Sequence, residues 1–114
     1  MNKDGGRYRI VLVTCRSMLE ARKIGGIVVE KKLAACANII PRIESIYRWK
    51  GKVEQAREVL MVIKTSATRL PELETEVKRV HSYDVPEFVV LPIVAGSKEY
   101  LQWIGDNTSA AKTR

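Results

Sequence analysis

The chain carries one histidine and two cysteines, so metal or acid–base chemistry has few places to sit. His81 opens the run His81-Ser-Tyr-Asp-Val-Pro-Glu87, which sets an imidazole, a phenol and two carboxylates in one short segment. Neutral imidazole and carboxylate suit copper, zinc or nickel, so His81 and Glu87 are candidate metal ligands, completed by Cys15 or Tyr83. One histidine alone makes a weak site, and a neighbouring chain could supply the missing groups. The plainer alternative for His81 is a helix-terminal histidine bonded to the last carbonyls. Cys15 falls at a strand's end just before a helix N-terminus, a place that lowers a thiol pKa and attracts anions. A buried, inert thiol is the equal alternative. Cys36, between Ala35 and Ala37, reads as a small packed residue. Lys64 ends an apolar run, where it either binds an anion or cofactor in a cleft, together with Tyr83, or makes an ion pair at the sheet's end. Tyr47, Trp49, Tyr100 and Trp103 could stack a ligand, but core or interface anchoring is the commoner use of such residues.

The elements that must position these groups follow from periodicity. Tyr8 to Cys15 is a strand carrying Ile10-Val-Leu-Val13. Ser17-Met-Leu-Glu20 has capping-box spacing, and Ala21, Ile24, Gly25 and Val28 continue one apolar stripe to a helix end near Lys32 or Leu33. A strand runs from about Cys36 to Lys50, interrupted by Pro41, with Ile43, Ser45, Tyr47 and Trp49 on one face. Lys50-Gly51-Lys52 is the turn, with Gly51 free to take positive φ. The return strand runs from Val53 to about Thr65. Thr68 is a candidate N-cap with Pro71 in the first turn, and Leu70, Leu73, Val77 and Val80 form a second helical stripe. Pro86 to Val94 is a strand, and Ser97 caps a last short helix presenting Tyr100, Leu101 and Ile104. The order βαβ–βαβ–α is an α+β, ferredoxin-like split βαβ arrangement.

At 114 residues the chain supports one domain, read as 7–106, with a disordered segment 1–6 and a flexible tail 107–114. Lys and Arg number 20 against 13 Asp and Glu, a formal charge of +7, but the charges are spread, so a solvated basic surface is the reading. Two cysteines do not form a disulfide framework. No apolar stretch is long enough for a transmembrane segment, and no apolar signal segment follows the N-terminus. The expected compartment is cytoplasmic and reducing.

The strands Ile10–Val13, Val59–Ile63 and Phe88–Leu91 are apolar at successive positions, hence on both faces. With both main helices on one face, something must cover the other. The hairpin strands also exceed the usual five or six residues. Both features point to an oligomer in which sheets meet and hairpins reach across.

The motifs Val13-Thr-Cys15, Glu30-Lys-Lys-Leu-Ala-Ala-Cys-Ala-Asn-Ile-Ile-Pro41, Ser45-Ile-Tyr-Arg-Trp-Lys-Gly-Lys52, Glu58-Val-Leu-Met-Val-Ile-Lys-Thr65, His81-x-Tyr-x-Val-Pro-Glu87 and Tyr100-Leu-x-Trp103 closely resemble the CutA divalent-cation-tolerance family, from roughly Arg7 to Ile104. The resemblance implies a ferredoxin-like subunit in a tight homotrimer, similar in architecture to trimeric PII signalling proteins. It implies binding of copper or other divalent ions in some members, and a link to acetylcholinesterase anchoring in animal members, hence a protein partner not yet identified. No enzymatic reaction is firmly attached to the family. Arg16 and Ser82 stand where the family often has proline, and Asp84 where it has glutamate. Losing the proline at Ser82 is expected to loosen the loop. In some bacterial members the copper-ligating cysteine falls one or two positions before Cys15, so copper binding carries over in part.

The function expected is therefore a non-catalytic trimeric binding protein: a divalent-cation-tolerance or signalling protein holding Cu(II), another divalent ion or a small ligand between subunits, with no metal required for folding. The alternative is an enzyme using His81 as acid–base with Tyr83, Glu87 and Lys64 around it, although no nucleophile–base–orienter spacing accompanies it. Nucleic acid is not an expected partner, because the central strands are aliphatic where RNA-binding sheets carry aromatics.

Overall fold

The apolar runs pair into one four-stranded antiparallel sheet. The computed structural model describes residues 6–110. Its elements are β1 (Tyr8–Cys15), α1 (Met18–Glu30), β2 (Cys36–Trp49), β3 (Lys52–Ser66), a 3₁₀ turn (Ala67–Arg69), α2 (Leu70–Val80), β4 (Val89–Pro92) and α3 (Lys98–Asp106). The strand order is β2-β3-β1-β4, so each βαβ unit is split by a strand of the other, as the ferredoxin-like reading expects.

One face carries the main core. Val11, Val13 and Cys15 of β1 and Val59, Met61 and Ile63 of β3 pack against Ala21, Ile24 and Val28 of α1 and Leu73 and Val77 of α2. Period-two strands and helical stripes meet there because each hides its apolar side from water.

On the opposite face, register pairs Ile10 with Lys64, Leu12 with Val62 and Thr14 with Leu60. Helix α3 covers one end of this face, where Tyr8, Ala35, Leu101 and Ile104 form a second small core. The rest stays uncovered in the single chain, with Ile40, Val89 and Leu91 more than two-fifths exposed.

The hairpin overhangs the sheet. β1 pairs with β3 only as far as Val59 opposite Cys15, and from Lys52 to Glu58 β3 pairs with β2 alone. Both Lys50 and Gly51 have positive φ, so the turn is a two-residue one between Trp49 and Lys52, of the kind matching strand twist. Pro41, which has no N–H, sits where the β2–β3 register shifts between Ile40 and Ile43.

Several boundaries differ from the sequence reading. β4 is limited to Val89–Pro92, because it lies at the edge and pairs only with β1, opposite Arg9 to Leu12. Thr68 does not cap α2; it lies inside the 3₁₀ turn, and Pro71 falls in the first turn of a helix without a side-chain cap. Helix α1 ends at Glu30, with Lys32 at φ 60° just beyond. Of the expected loose ends, residues 1–5 and 111–114 lie outside the described residues. Thr108, expected in the tail, is packed instead: its Oγ1 lies 2.8 Å from Ile104 O and 2.9 Å from Ser66 Oγ. Among the described residues no helix is long and apolar enough to cross a membrane.

Candidate functional site

Three elements converge at the C-terminal end of β1. The strand ends in Cys15, a fully buried thiol 3.6 Å from Met61 Sδ. Ser17 caps α1, its Oγ accepting from Glu20 N at 3.1 Å. The return half of the capping box is shifted by one residue, because Glu20 Oε1 accepts from Arg16 N at 3.3 Å rather than from Ser17 N. Its other oxygen, Oε2, accepts from Ser82 N at 2.7 Å. Helix α2 finishes with His81 N donating to Val77 O at 2.9 Å, which delivers the imidazole to the same place.

Hydrogen bonding assigns the His81 tautomer. Nδ1 is 3.1 Å from Tyr83 N, whose N–H can only donate, so Nδ1 is the acceptor. Nε2 then carries the proton and donates to Thr14 O at 2.7 Å. The His81 and Tyr83 rings lie 4.7 Å apart, and the Tyr83 hydroxyl donates to Glu58 Oε2 at 2.7 Å.

One donor atom each from Cys15, Glu20 and His81 lie within 4.8 Å of one another. Zinc, with bonds of about 2.0–2.3 Å, needs tetrahedral ligands about 3.5 Å apart. The cluster therefore has the donor set of a borderline-soft cation and must contract by about 1 Å to hold one.

Beside the cluster a cleft of about 760 Å³ opens between the hairpin and the loop after α2. Glu44, Glu58, Asp84 and Glu87 line it with Tyr47 and Trp49, and among the described residues no Lys or Arg does. In a chain of net charge +7, that is a local reversal of sign. Like charges and burial shift the groups here. Burial, then the charges of Glu20 and Glu58, push the Cys15 thiol up to about 12. Burial and Glu58 raise the Glu87 carboxyl. Burial and the bond to Glu58 raise the Tyr83 phenol. Burial works against the Glu20 carboxylate, but the bonds from Ser82 and Arg16 outweigh it and hold Glu20 below its ordinary value.

The sequence-derived candidates thus separate. Cys15 and His81 come together. Glu87 is not among the three clustered residues; it lines the cleft with Glu58, whose charge acts on it. Tyr83 bridges cluster and cleft. Lys64 stands apart from all of them in the single chain: it is six residues from Glu58 along β3, about 20 Å at roughly 3.3 Å per residue, and its Nζ donates to Asn38 Oδ1 at 2.6 Å. The expected loosening at Ser82 is met by a new tether, the bond from its N–H to Glu20. Glu20 itself was hidden in the sequence by its capping role. The signal was its position: a carboxylate in the first turn of a helix that begins directly after the strand bearing Cys15.

This fold and site have relatives among known proteins. The sequence profile of the CutA1 divalent ion tolerance protein family matches residues 9–107. The chain belongs to the CutA1 family. A relative from Thermus thermophilus, the divalent-cation tolerance protein CutA, is 48% identical over 99 residues, spanning 87% of this chain and 96% of its own length. Protein CutA of Homo sapiens is 47% identical over 105 residues, 92% of this chain but 59% of the human protein. The solved structure of the Thermus thermophilus divalent cation tolerance protein matches with a TM-score of 0.88 at 46% identity, covering 90% of this chain and 99% of that one. Membership of the CutA1 family accords with the α+β fold.

Proposed function

We propose that this CutA1 family member is a non-catalytic divalent-cation-binding protein, cytoplasmic and assembled as a homotrimer, which takes copper or another divalent ion beside the cleft between its hairpin and the His81–Glu87 loop. The observation that carries this reading is the convergence of thiol, carboxylate and imidazole donors within 4.8 Å at the margin of a cleft lined by four carboxylates. The family's description as divalent ion tolerance proteins agrees with it. Copper should bind most tightly among first-row divalent ions by ligand-field order alone, so the ion's identity is a separate question from the site's.

Assembly is supported by the uncovered sheet face and by the hairpin, where Ile46 and Val53 are about two-thirds exposed. Reducing surroundings suit two unpaired cysteines. Both His81 ring nitrogens are bonded to backbone groups, so a cation or a substrate must displace one of them; the acid–base enzyme reading has in addition no nucleophile–base–orienter spacing behind it.

Calorimetric titration with Cu(II) or Zn(II) of the wild type and His81→Ala tests the site. Loss of binding in the variant is expected. Equal affinity in the two proteins moves the site elsewhere. Ligation displaces protons from the donor groups, so affinity should fall as the pH is lowered.

A further inference from the structure

The cluster and the loop beside it compete for the same atoms. The two backbone N–H groups that follow His81 are both bonded to members of the cluster: Ser82 N–H to Glu20 Oε2 and Tyr83 N–H to His81 Nδ1. A carboxylate has spare lone pairs, so Glu20 alone could accept a cation and keep Ser82. The imidazole cannot do the same. A cation at Nδ1 takes the lone pair that Tyr83 N–H uses. A cation at Nε2 removes the proton from that nitrogen, so the neutral ring must carry its proton on Nδ1, where it faces the Tyr83 N–H as donor against donor. Either route expels the Tyr83 amide.

We infer that a divalent cation on Cys15, Glu20 and His81 and the closed form of the loop from Ser82 to Glu87 exclude one another, so that the cluster acts as a cation-operated latch on the neighbouring cleft. The inference rests on the cation-binding reading above. The loop has three attachments, the Ser82 amide on Glu20, the Tyr83 amide on His81 and the Tyr83 hydroxyl on Glu58, and beyond them Asp84 and Glu87 line the cleft. Releasing the Tyr83 amide therefore changes the acidic cleft, not only the metal site. The protein would report a cation by the position of this loop. Ligation by Cys15 transfers its thiol proton to solvent, and Glu20, held ionised by its two backbone donors, supplies charge for the incoming ion.

By linkage, whatever weakens the closed loop must strengthen the cation, since the closed form reduces apparent affinity by its population. Tyr83→Phe is the informative variant. It removes the hydroxyl bond to Glu58, leaves every proposed ligand in place, and should tighten Zn(II) binding by up to about tenfold, the equivalent of one hydrogen bond to a charged acceptor. Amide hydrogen exchange on the whole chain gives the second readout. Saturating Zn(II) should speed exchange at Tyr83 and leave β1 amides such as Val13 unchanged. If Zn(II) binds, is lost in His81→Ala, and yet the Tyr83 amide stays protected or Tyr83→Phe binds no more tightly, the latch is overturned while the cation reading stands. Weaker binding by Tyr83→Phe would make Tyr83 a ligand and also overturn the latch. If Zn(II) does not bind, or binds equally well in His81→Ala, the site reading itself fails and the latch falls with it.

Discussion

The hydroxyl of Tyr83 donates to Glu58 Oε2 at 2.7 Å, tying the loop after α2 to the part of β3 that no longer pairs with β1. Tyr83→Phe should therefore lower stability by about 1 kcal/mol, below the usual ~1.5–3 kcal/mol for a hydrogen bond to a charged group because the pair is partly exposed. Urea unfolding at pH 7 measures it. The pH dependence has a fixed sign: the Tyr83 pKa is raised on folding, so its contribution is whole below about pH 10 and declines as the pH rises beyond that. The difference between wild type and variant should shrink in strong alkali; a constant difference would place the effect in packing alone.

Cys15 should be inert in the native protein despite its position before a helix N-terminus. Burial and the charges of Glu20 and Glu58 push its thiol up to about 12, and the thiolate is the reactive form. Alkylation of Cys15 at pH 8, followed by peptide mass spectrometry, should be at least about a hundredfold slower in the folded chain than in denaturant. Comparable rates would mean that the thiol is open to solvent and the electrostatic account wrong.

Glu76 joins the two main helices, bonded to Lys31 at the end of α1 and to Arg79 on its own helix. The Arg79 and Lys31 bonds hold its carboxyl down to about 2. A carboxylate lowered on folding stabilises fully above its unfolded value of about 4.5 and loses that contribution as the pH falls toward about 2. Glu76→Gln should lower the thermal midpoint at pH 7, with the gap to wild type closing between about pH 4.5 and 2. A gap that persists at pH 2 would rule out the ion pairs as its cause.

Trp49 occupies the last pair before the hairpin turn and is 45% exposed in the single chain. The proposed homotrimer predicts that it packs against a neighbour, in an interface at the large end of about 2,000–5,000 Å². Light scattering at micromolar concentration should give three times the chain mass. Trp49→Ala should promote dissociation and cost about 3–5 kcal/mol if the site is well packed. A monomeric wild type would leave the apolar face and the hairpin without an explanation.

The element order, the family and the split βαβ topology are legible in the order of residues alone, because these depend on local periodicity and on long motifs that any register preserves. Ile10 to Val13, the Ala21–Val28 stripe and the Lys50-Gly51 turn can be read in this way: each follows from steric or hydrophobic rules acting over a few residues. The composition of the site did not follow. Cys15, Glu20 and His81 are brought together only when the end of β1, the start of α1 and the end of α2 meet, and Glu20 has a sufficient local reason to be where it is. Sequence proximity and residue type group Glu87 and Lys64 with His81; packing instead puts Glu87 in the cleft lining with Glu58 and Lys64 at the far part of β3, where Asn38 holds it. The His81 tautomer is fixed by two backbone groups, Thr14 O and Tyr83 N, whose approach depends on the packing of a strand end against a loop and has no signature along the chain.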